Sequence, residues 1–377
     1  MDLTTLAAAL LVAFGLLATD AVIHSNSVVI EVSAVPKTDR ITIDQATIEE
    51  EFGEQLFAIG KIESVVEPPE IRASSDQGIG MALAKEARLE DMAHTLQGEL
   101  GYRPDHLRLA LFTEDGSIRA LVSGTSHRVG NFHQVLVPLK DETVLNFVHR
   151  CALWGASQLA PYATSVYLLQ RHAADKDFTD VIALIEQSKA KLPPTPVHFD
   201  LSAFDNLLGI IALFRSDPKA ARALFDKAIA EYPPGSLAVL NAAFTDLELD
   251  DNTKAAERMQ QLVTDTPPTN MTLLSTAYFT WAAAEMALHN LPKAEELLEK
   301  SHRADSQSAT GLDLWADLKE LEGDKQATAD LRRQALQATE TFENYAEIAA
   351  LYFQLSWRDN QPVARSKFSN PTIVTFH

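Results

Sequence analysis

The strongest constraint on this chain is a spacing. The stretch DPKAARALFDKAIAEYPP carries Ala221, Phe225 and Ala228 and closes on Pro233. The same pattern returns at Ala255, Met259, Leu262 and Pro267, then at Ala294, Leu298 and Ser301, and then at Thr328 and Ala335. Val181, Ile185, Ser188 and Pro193 precede it, so the unit advances in steps of 40, 34, 39 and 34 residues. Self-similarity at such a period marks stacked supersecondary units. Steps of three and four within each set place its members on one helix face, and a closing proline ends the helix by withholding an amide donor. An apolar helix lies ahead of each set, with small residues where two axes must cross closely: Gly209 against Ala221 and Ala228, and Ala282 against Ala294. A single helical hairpin cannot bury its own apolar face, so each stacks on the next and a solenoid results.

Upstream of the array the signals change. Residues 28–35 (VVIEVSAV) are β-branched and end at Pro36, as a strand would. Asp44 stands as the cap of a helix whose Ile48, Phe52, Leu56 and Ile59 share one face. A second helix is expected over 83–100, and strands over 107–112, 118–123 and 134–139, with a turn at Glu114-Asp115-Gly116. The result is a small α/β unit over residues 28–140, its sheet antiparallel in part. A connecting helix over 141–174, repeats over 175–357 and a tail over 358–377 complete the expected order.

The first residues read differently again. Positions 3–23, LTTLAAALLVAFGLLATDAVI, hold one charge, Asp20, and are long enough to span a bilayer as a helix. No Lys or Arg precedes them, which favours an uncleaved transmembrane anchor over residues 1–27 to a removed signal peptide. The expectation is a single-pass protein of a bacterial inner membrane with its soluble part on the periplasmic side. The remainder folds in water. A formal charge of −20 repels phosphate backbones and argues against nucleic acid as a ligand. The single cysteine, Cys151, excludes an intramolecular disulfide framework.

The repeat residues resemble the tetratricopeptide repeat (TPR) family. Over 202–235 the match falls on Leu208, Gly209, Ala221, Phe225, Ala228 and Pro233, while Asp205 and Ala212 stand where the family carries aromatic residues. The chain also looks like bacterial proteins that join an N-terminal membrane segment, a small α/β region and C-terminal repeats of this kind, including the junction APYATSVYLL at 160–169. The resemblance implies a mainly α fold with a TPR-like solenoid. It also implies that the first helix of each hairpin lines a concave, partner-binding groove. Carried over by position, the groove would contain Asn206, Ile210, Leu213, Leu240 and Phe244. Asn206 is the only remnant of a carboxylate clamp, since Ile210 and Phe244 replace its polar members. Such a groove suits an amphipathic helix or an extended segment of a partner protein. The same side chains suit equally well packing against the N-terminal unit or a capping helix.

Signals for chemistry are weak. Gln77-Gly78-Ile79-Gly80 lacks the third glycine of a dinucleotide loop and the Lys-Ser/Thr of a P-loop. His149 and Cys151 are two apart, on opposite sides of a helix, and cannot act as base and nucleophile; Cys151 reads as a small packing residue. No metal-ligand spacing is present. The expectation is a membrane-anchored interaction scaffold with no catalysis, cofactor, metal or small-molecule substrate. The rival is an enzyme or ligand sensor with a site in the α/β unit around His127, Arg128 and His133.

Overall fold

The computed structural model describes residues 27–33, 43–62, 70–73, 105–126, 129–173, 175–192 and 198–338. The apolar segment 3–23, the expected helix 83–100, the glycines at 78 and 80, His127, Arg128, Pro193, any repeat past 338 and the tail 358–377 lie outside these residues. Among the described residues no helix is long and apolar enough to cross a membrane. The described part is mainly helical, with twelve helices and five strands. It forms two compact units that divide between Tyr167 and Leu168.

Among its described residues the first unit is a sheet with two helices on one face. Its strands are β1 (Ser27–Ser33), β2 (Glu70–Ala73), β3 (Asp105–Glu114), β4 (Ser117–Ser126) and β5 (Gly130–Leu136), in the order β2-β1-β3-β4-β5. β1 runs parallel to both β2 and β3, and β3, β4 and β5 are successively antiparallel. The turn between β3 and β4 places Asp115 and Gly116 at φ 51° and 72°, the left-handed pair that matches strand twist. β2 escapes the sequence analysis because four residues of mixed charge give no alternation to detect. β5 also begins and ends earlier than the expected 134–139.

Alternation then decides the core. Leu107, Leu109 and Leu111 of β3, Ala120 and Val122 of β4, and Val28 and Val32 of β1 point to one side and are buried. Two helices cover that side: α1 (Gln45–Gly60) and α2 (Val144–Leu159). Asp44 caps α1 by accepting from the Thr47 N–H at 2.8 Å, and Ile48, Phe52, Leu56 and Ile59 form its buried stripe, as the spacing requires. On α2, Gly155 crosses β3 so closely that a Cβ there would lie 2.7 Å from Leu107. His149 Nε2 meets Glu51 Oε2 of α1 at 2.6 Å across the rim of the two helices. The expected connecting helix over 141–174 is two helices, α2 and α3 (Pro161–Arg171), broken at Ala160-Pro161 because the proline cannot continue the α2 ladder. α2 belongs to the core of the sheet unit rather than linking the units.

The second unit is the array. α4 (Thr179–Ala190) precedes four complete hairpins: α5 (His198–Phe214) with α6 (Pro218–Glu231), α7 (Ser236–Glu248) with α8 (Asn252–Asp265), α9 (Met271–Ala287) with α10 (Leu291–Ala304), and α11 (Ala309–Glu322) with α12 (Lys325–Gln337). The recurring residues that revealed the repeat are the buried stripes of the second helices: Ala221, Phe225 and Ala228 on α6, Ala255, Met259 and Leu262 on α8, and Ala294, Leu298 and Ser301 on α10. Close crossings occur within hairpins. A Cβ on Gly209 would lie 2.4 Å from the Phe225 ring, so the glycine accommodates that aromatic residue rather than the alanines on either side of it. Between α9 and α10, Ser275 and Ser301 exchange hydroxyl bonds to each other's backbone carbonyls at 3.0 Å.

The turns carry the period too. Lys176, Ser216, Asp250, His289 and Gly323 all adopt left-handed φ of 58° to 81°, and their steps are again 40, 34, 39 and 34. In the last four turns this residue donates its N–H three residues back and its successor donates five residues back, as in Ser216 to Leu213 and Asp217 to Ala212. These bonds satisfy carbonyls that the helix end would leave open. The successor then starts the next helix: Asp217 and Asp324 accept from the N–H groups of Ala220 and Ala327.

Candidate functional site

The inner helices of the hairpins are apolar around most of their circumference, and the structure buries them accordingly. α7 is flanked by its own partner α8, by α5 and α6 of the preceding hairpin and by α9 of the next. Ten of its residues are buried, Leu237, Ala238 and the continuous run from Leu240 to Leu247. A helix apolar on all sides is an interior helix. This corrects the expectation of an open apolar groove. Asn206, Ile210, Leu240 and Phe244 are buried, and Leu213 is half-buried against the core of the array. The Asn241 amide donates to Asn206 Oδ1 at 2.8 Å, joining α5 to α7. The Phe244 ring lies 6.2 Å from that of Phe279 on α9. These residues join successive hairpins.

A feature that the sequence analysis passed over lies on the other side of the same helices. Asp205 of α5 is fully buried, and Lys189 Nζ of α4 and Lys227 Nζ of α6 reach its two oxygens at 2.5 and 3.0 Å. Pairing with Asp205 raises the Lys227 pKa above its ordinary value. One hairpin later, Asp246 of α7 is also fully buried, between Arg222 Nε of α6 at 2.8 Å and Arg258 Nε of α8 at 2.7 Å. Arg222 contacts Asp246 Oδ1 as an ion pair outside hydrogen-bonding geometry, whereas Arg258 donates to Oδ2. Burial pushes the Asp246 carboxyl pKa up, and the two guanidiniums act against that rise. Arg222 continues to Asp251 at 3.0 Å, and Arg258 also holds Asp226 of α6. At the last described hairpin, Lys319 of α11 meets Glu295 of α10, and Arg332 of α12 meets Asp317 at 3.2 Å.

Asp205 and Asp246 are each clamped by the helices before and after their own, whereas on α11 the two contacts fall on different residues, Lys319 and Asp317. Asp205, which stands where the repeats that the sequence resembles carry an aromatic residue, is here the hub of an ion-pair network. Part of the signal was available in the sequence: Asp205 is an acid set among the apolar residues of a helix face, and a buried charge requires a partner, whereas Asp246 is masked by Glu248, Asp250 and Asp251 close after it.

Among its described residues the α/β unit contains little that could perform chemistry. His133 is exposed on β5, on the sheet face away from α1 and α2, in register with Ser123, Arg108 and Glu31 of the neighbouring strands. Its supposed companions His127 and Arg128 lie outside the described residues. Cys151 is fully buried and its thiol is pushed up to about 12, chiefly by that burial, so at neutral pH it is a packing residue rather than a nucleophile. Among the described residues no three His, Cys, Asp or Glu side chains gather to hold a metal ion. A gap of water-molecule size lined by Val28, Leu56, Ile59, Gly60, Ala156, Leu159 and Ala160 has no polar group to bind a ligand.

No protein-family model matches the sequence, and no curated protein matches it. Solved structures with some likeness include a Pseudomonas aeruginosa pilF protein, with 14% identity over 52% of this chain and 89% of that one, and a TM-score of 0.40. MamA shows 14% identity over 45% of this chain and 92% of that one, at 0.35. A thermophilic TPR protein of Thermus thermophilus shows 25% identity over 42% and 84%, at 0.32. At these scores the likeness extends to helical repeats and carries no functional argument. The assignment to stacked helical hairpins comes from the array itself.

Proposed function

We propose that this chain is a membrane-anchored scaffold that holds a partner protein on its helical array and performs no chemistry of its own. The observation that supports it is the ion-pair network at Asp205 and Asp246, which ties each first helix to the helices before and after it. A rigid array presents a constant surface, and preorganisation lowers the ordering cost of binding. Because the inner residues Ile210, Leu240 and Phe244 are used as core, docking falls to the exposed outer faces of the second helices. There Glu186, Glu257 and Glu296 carry exposed carboxylates, the last shared with Lys293 and Lys300 of its own helix at 2.9 and 2.6 Å, so the partner is a basic protein segment.

Anchoring by residues 1–27 is tested by membrane fractionation of the full chain beside a chain begun at residue 28; equal recovery in the soluble fraction refutes it. Docking is tested by in-cell crosslinking of the full chain and of the Glu186→Lys, Glu257→Lys, Glu296→Lys triple variant. The expected outcome is a defined partner band lost from the variant and weakened by added salt. A band that the charge reversals leave unchanged refutes the acidic docking face.

A further inference from the structure

The two edges of the sheet are built differently. β2 is four residues long, follows Pro68 and Pro69, and carries Glu70 and Arg72. Short length, proline and charge are the devices that keep a sheet edge from pairing with another chain. β5 is seven residues long and carries neither proline nor charge within its span, Pro138 following two residues after its end. It pairs with β4 alone among the described strands, without a bulge from Gly130 to Leu136. From Val129 to Leu139 the sequence VGNFHQVLVPL contains no Asp, Glu, Lys or Arg, in a chain that is 22% charged.

The edge is also held rigid. On its inner side Phe132 packs edge-on against Trp154 of α2 at 5.9 Å and crosses Gly124 of β4, where a Cβ would lie 2.5 Å from the ring. At its exit Arg150 donates to the Val137 carbonyl at 2.7 Å, and the Leu139 N–H donates to Glu142 at 2.7 Å. Val129, Val135, Val137 and Leu139 nonetheless remain 43%, 47%, 52% and 63% exposed. Packing among the described residues of this unit therefore accounts for the position of the strand but leaves these apolar side chains uncovered.

We propose that β5 is a self-association edge, which pairs antiparallel with β5 of a second copy to join two five-stranded sheets into one. The choice of a second copy rests on symmetry and charge. A two-fold pairing centred on His133 sets Val129 opposite Val137, Asn131 opposite Val135, and His133 opposite its own counterpart. Reversing the strand thus places apolar ends against apolar ends, as an isologous interface requires. Two chains of formal charge −20 repel over most of their surfaces, and an uncharged edge is where two such copies meet at least electrostatic cost. A single strand pair buries less than the roughly 800 Å² per partner of a standard interface, so the dimer is weak and concentration-dependent.

The full chain, kept in one mild detergent, provides the test. Sedimentation equilibrium should show a monomer–dimer system, and Val135→Lys should shift it to monomer with an unchanged circular dichroism spectrum. Directly opposite residues of an antiparallel pair have Cβ atoms about 4.5–5.5 Å apart, close to the span of a disulfide. His133→Cys should therefore oxidise to a covalent dimer, whereas Thr253→Cys, exposed on α8, should not; the native Cys151 is buried and will not interfere. A chain that stays monomeric at the highest attainable concentration overturns the proposal. So does a dimer that persists in Val135→Lys, or one that crosslinks equally through both cysteines.

Discussion

Replacing Asp246 with alanine tests the energetic role of the network most directly. The wild-type carboxylate is fully buried, with Arg222 and Arg258 nitrogens at 2.8 and 2.7 Å. Removing it leaves two guanidiniums facing an empty site between α6, α7 and α8. Breaking a buried pair by deleting one partner costs about 3–5 kcal/mol. Both arginine side chains retain some solvent contact, 25% and 15% exposed, and keep secondary partners in Asp251 and Asp226, which places the expected loss near the lower limit, about 3 kcal/mol. For a unit of this size that corresponds to a melting temperature lower by roughly 6–12 °C. Urea unfolding followed by circular dichroism at neutral pH measures it. Asp246→Asn should lose less than Asp246→Ala, because the amide oxygen still accepts from Arg258. In a double-mutant cycle, Arg258→Met should recover part of the alanine loss by removing one uncompensated charge. A loss below about 1 kcal/mol for Asp246→Ala, in the range of exposed pairs, would refute the claim that this network ties the hairpins together.

Other expectations follow from single contacts. Arg150 hydrogen bonds hold the Glu142 carboxyl pKa below its ordinary value of 4.5; the ion pair therefore stabilises the fold above that value and is lost as pH falls through the lowered folded pKa. Glu142→Gln should then be less stable than wild type at neutral pH, with the gap in urea midpoint closing in acid; a gap independent of pH contradicts the assignment. Ser216, Asp250 and His289 are exposed residues held at left-handed φ, a conformation that costs roughly 1–2 kcal/mol. Each change to glycine should raise stability by about 0.5–1 kcal/mol after the added chain entropy, and the three should add; a lower melting temperature for the triple variant would count against the turn geometry. Gly209→Ala should destabilise by about 1–3 kcal/mol through overpacking on Phe225, and a neutral result in the same assay would show that the crossing can relax.

Some elements were legible because their information is local. Ile48, Phe52, Leu56 and Ile59 declare a helix face by spacing alone, and Asp44 declares its start; the structure places all five as expected. The hairpin array is legible for the same reason, since a stripe repeated at a fixed step needs no knowledge of its neighbours, and its turns repeat with identical steps. The candidate groove was less secure, because exposure of an inner-helix position depends on how many other helices surround it. Ile210 and Phe244 sit at groove positions by count, yet the neighbours of α5 and α7 enclose them.

The sequence by itself determined that this protein is a run of helical hairpins behind a small α/β unit, and that its water-facing surface is acidic. Only the tertiary structure decided the rest. It placed β2 beside β1, moved α2 from linker to core, closed the inner helices, and turned Asp205 and Asp246 from interruptions of an apolar pattern into the charges that join one hairpin to the next. The physical reason is common to all four. Periodicity fixes which face of an element is buried, but the partner that buries it, or neutralises a charge on it, arrives from elsewhere in the chain.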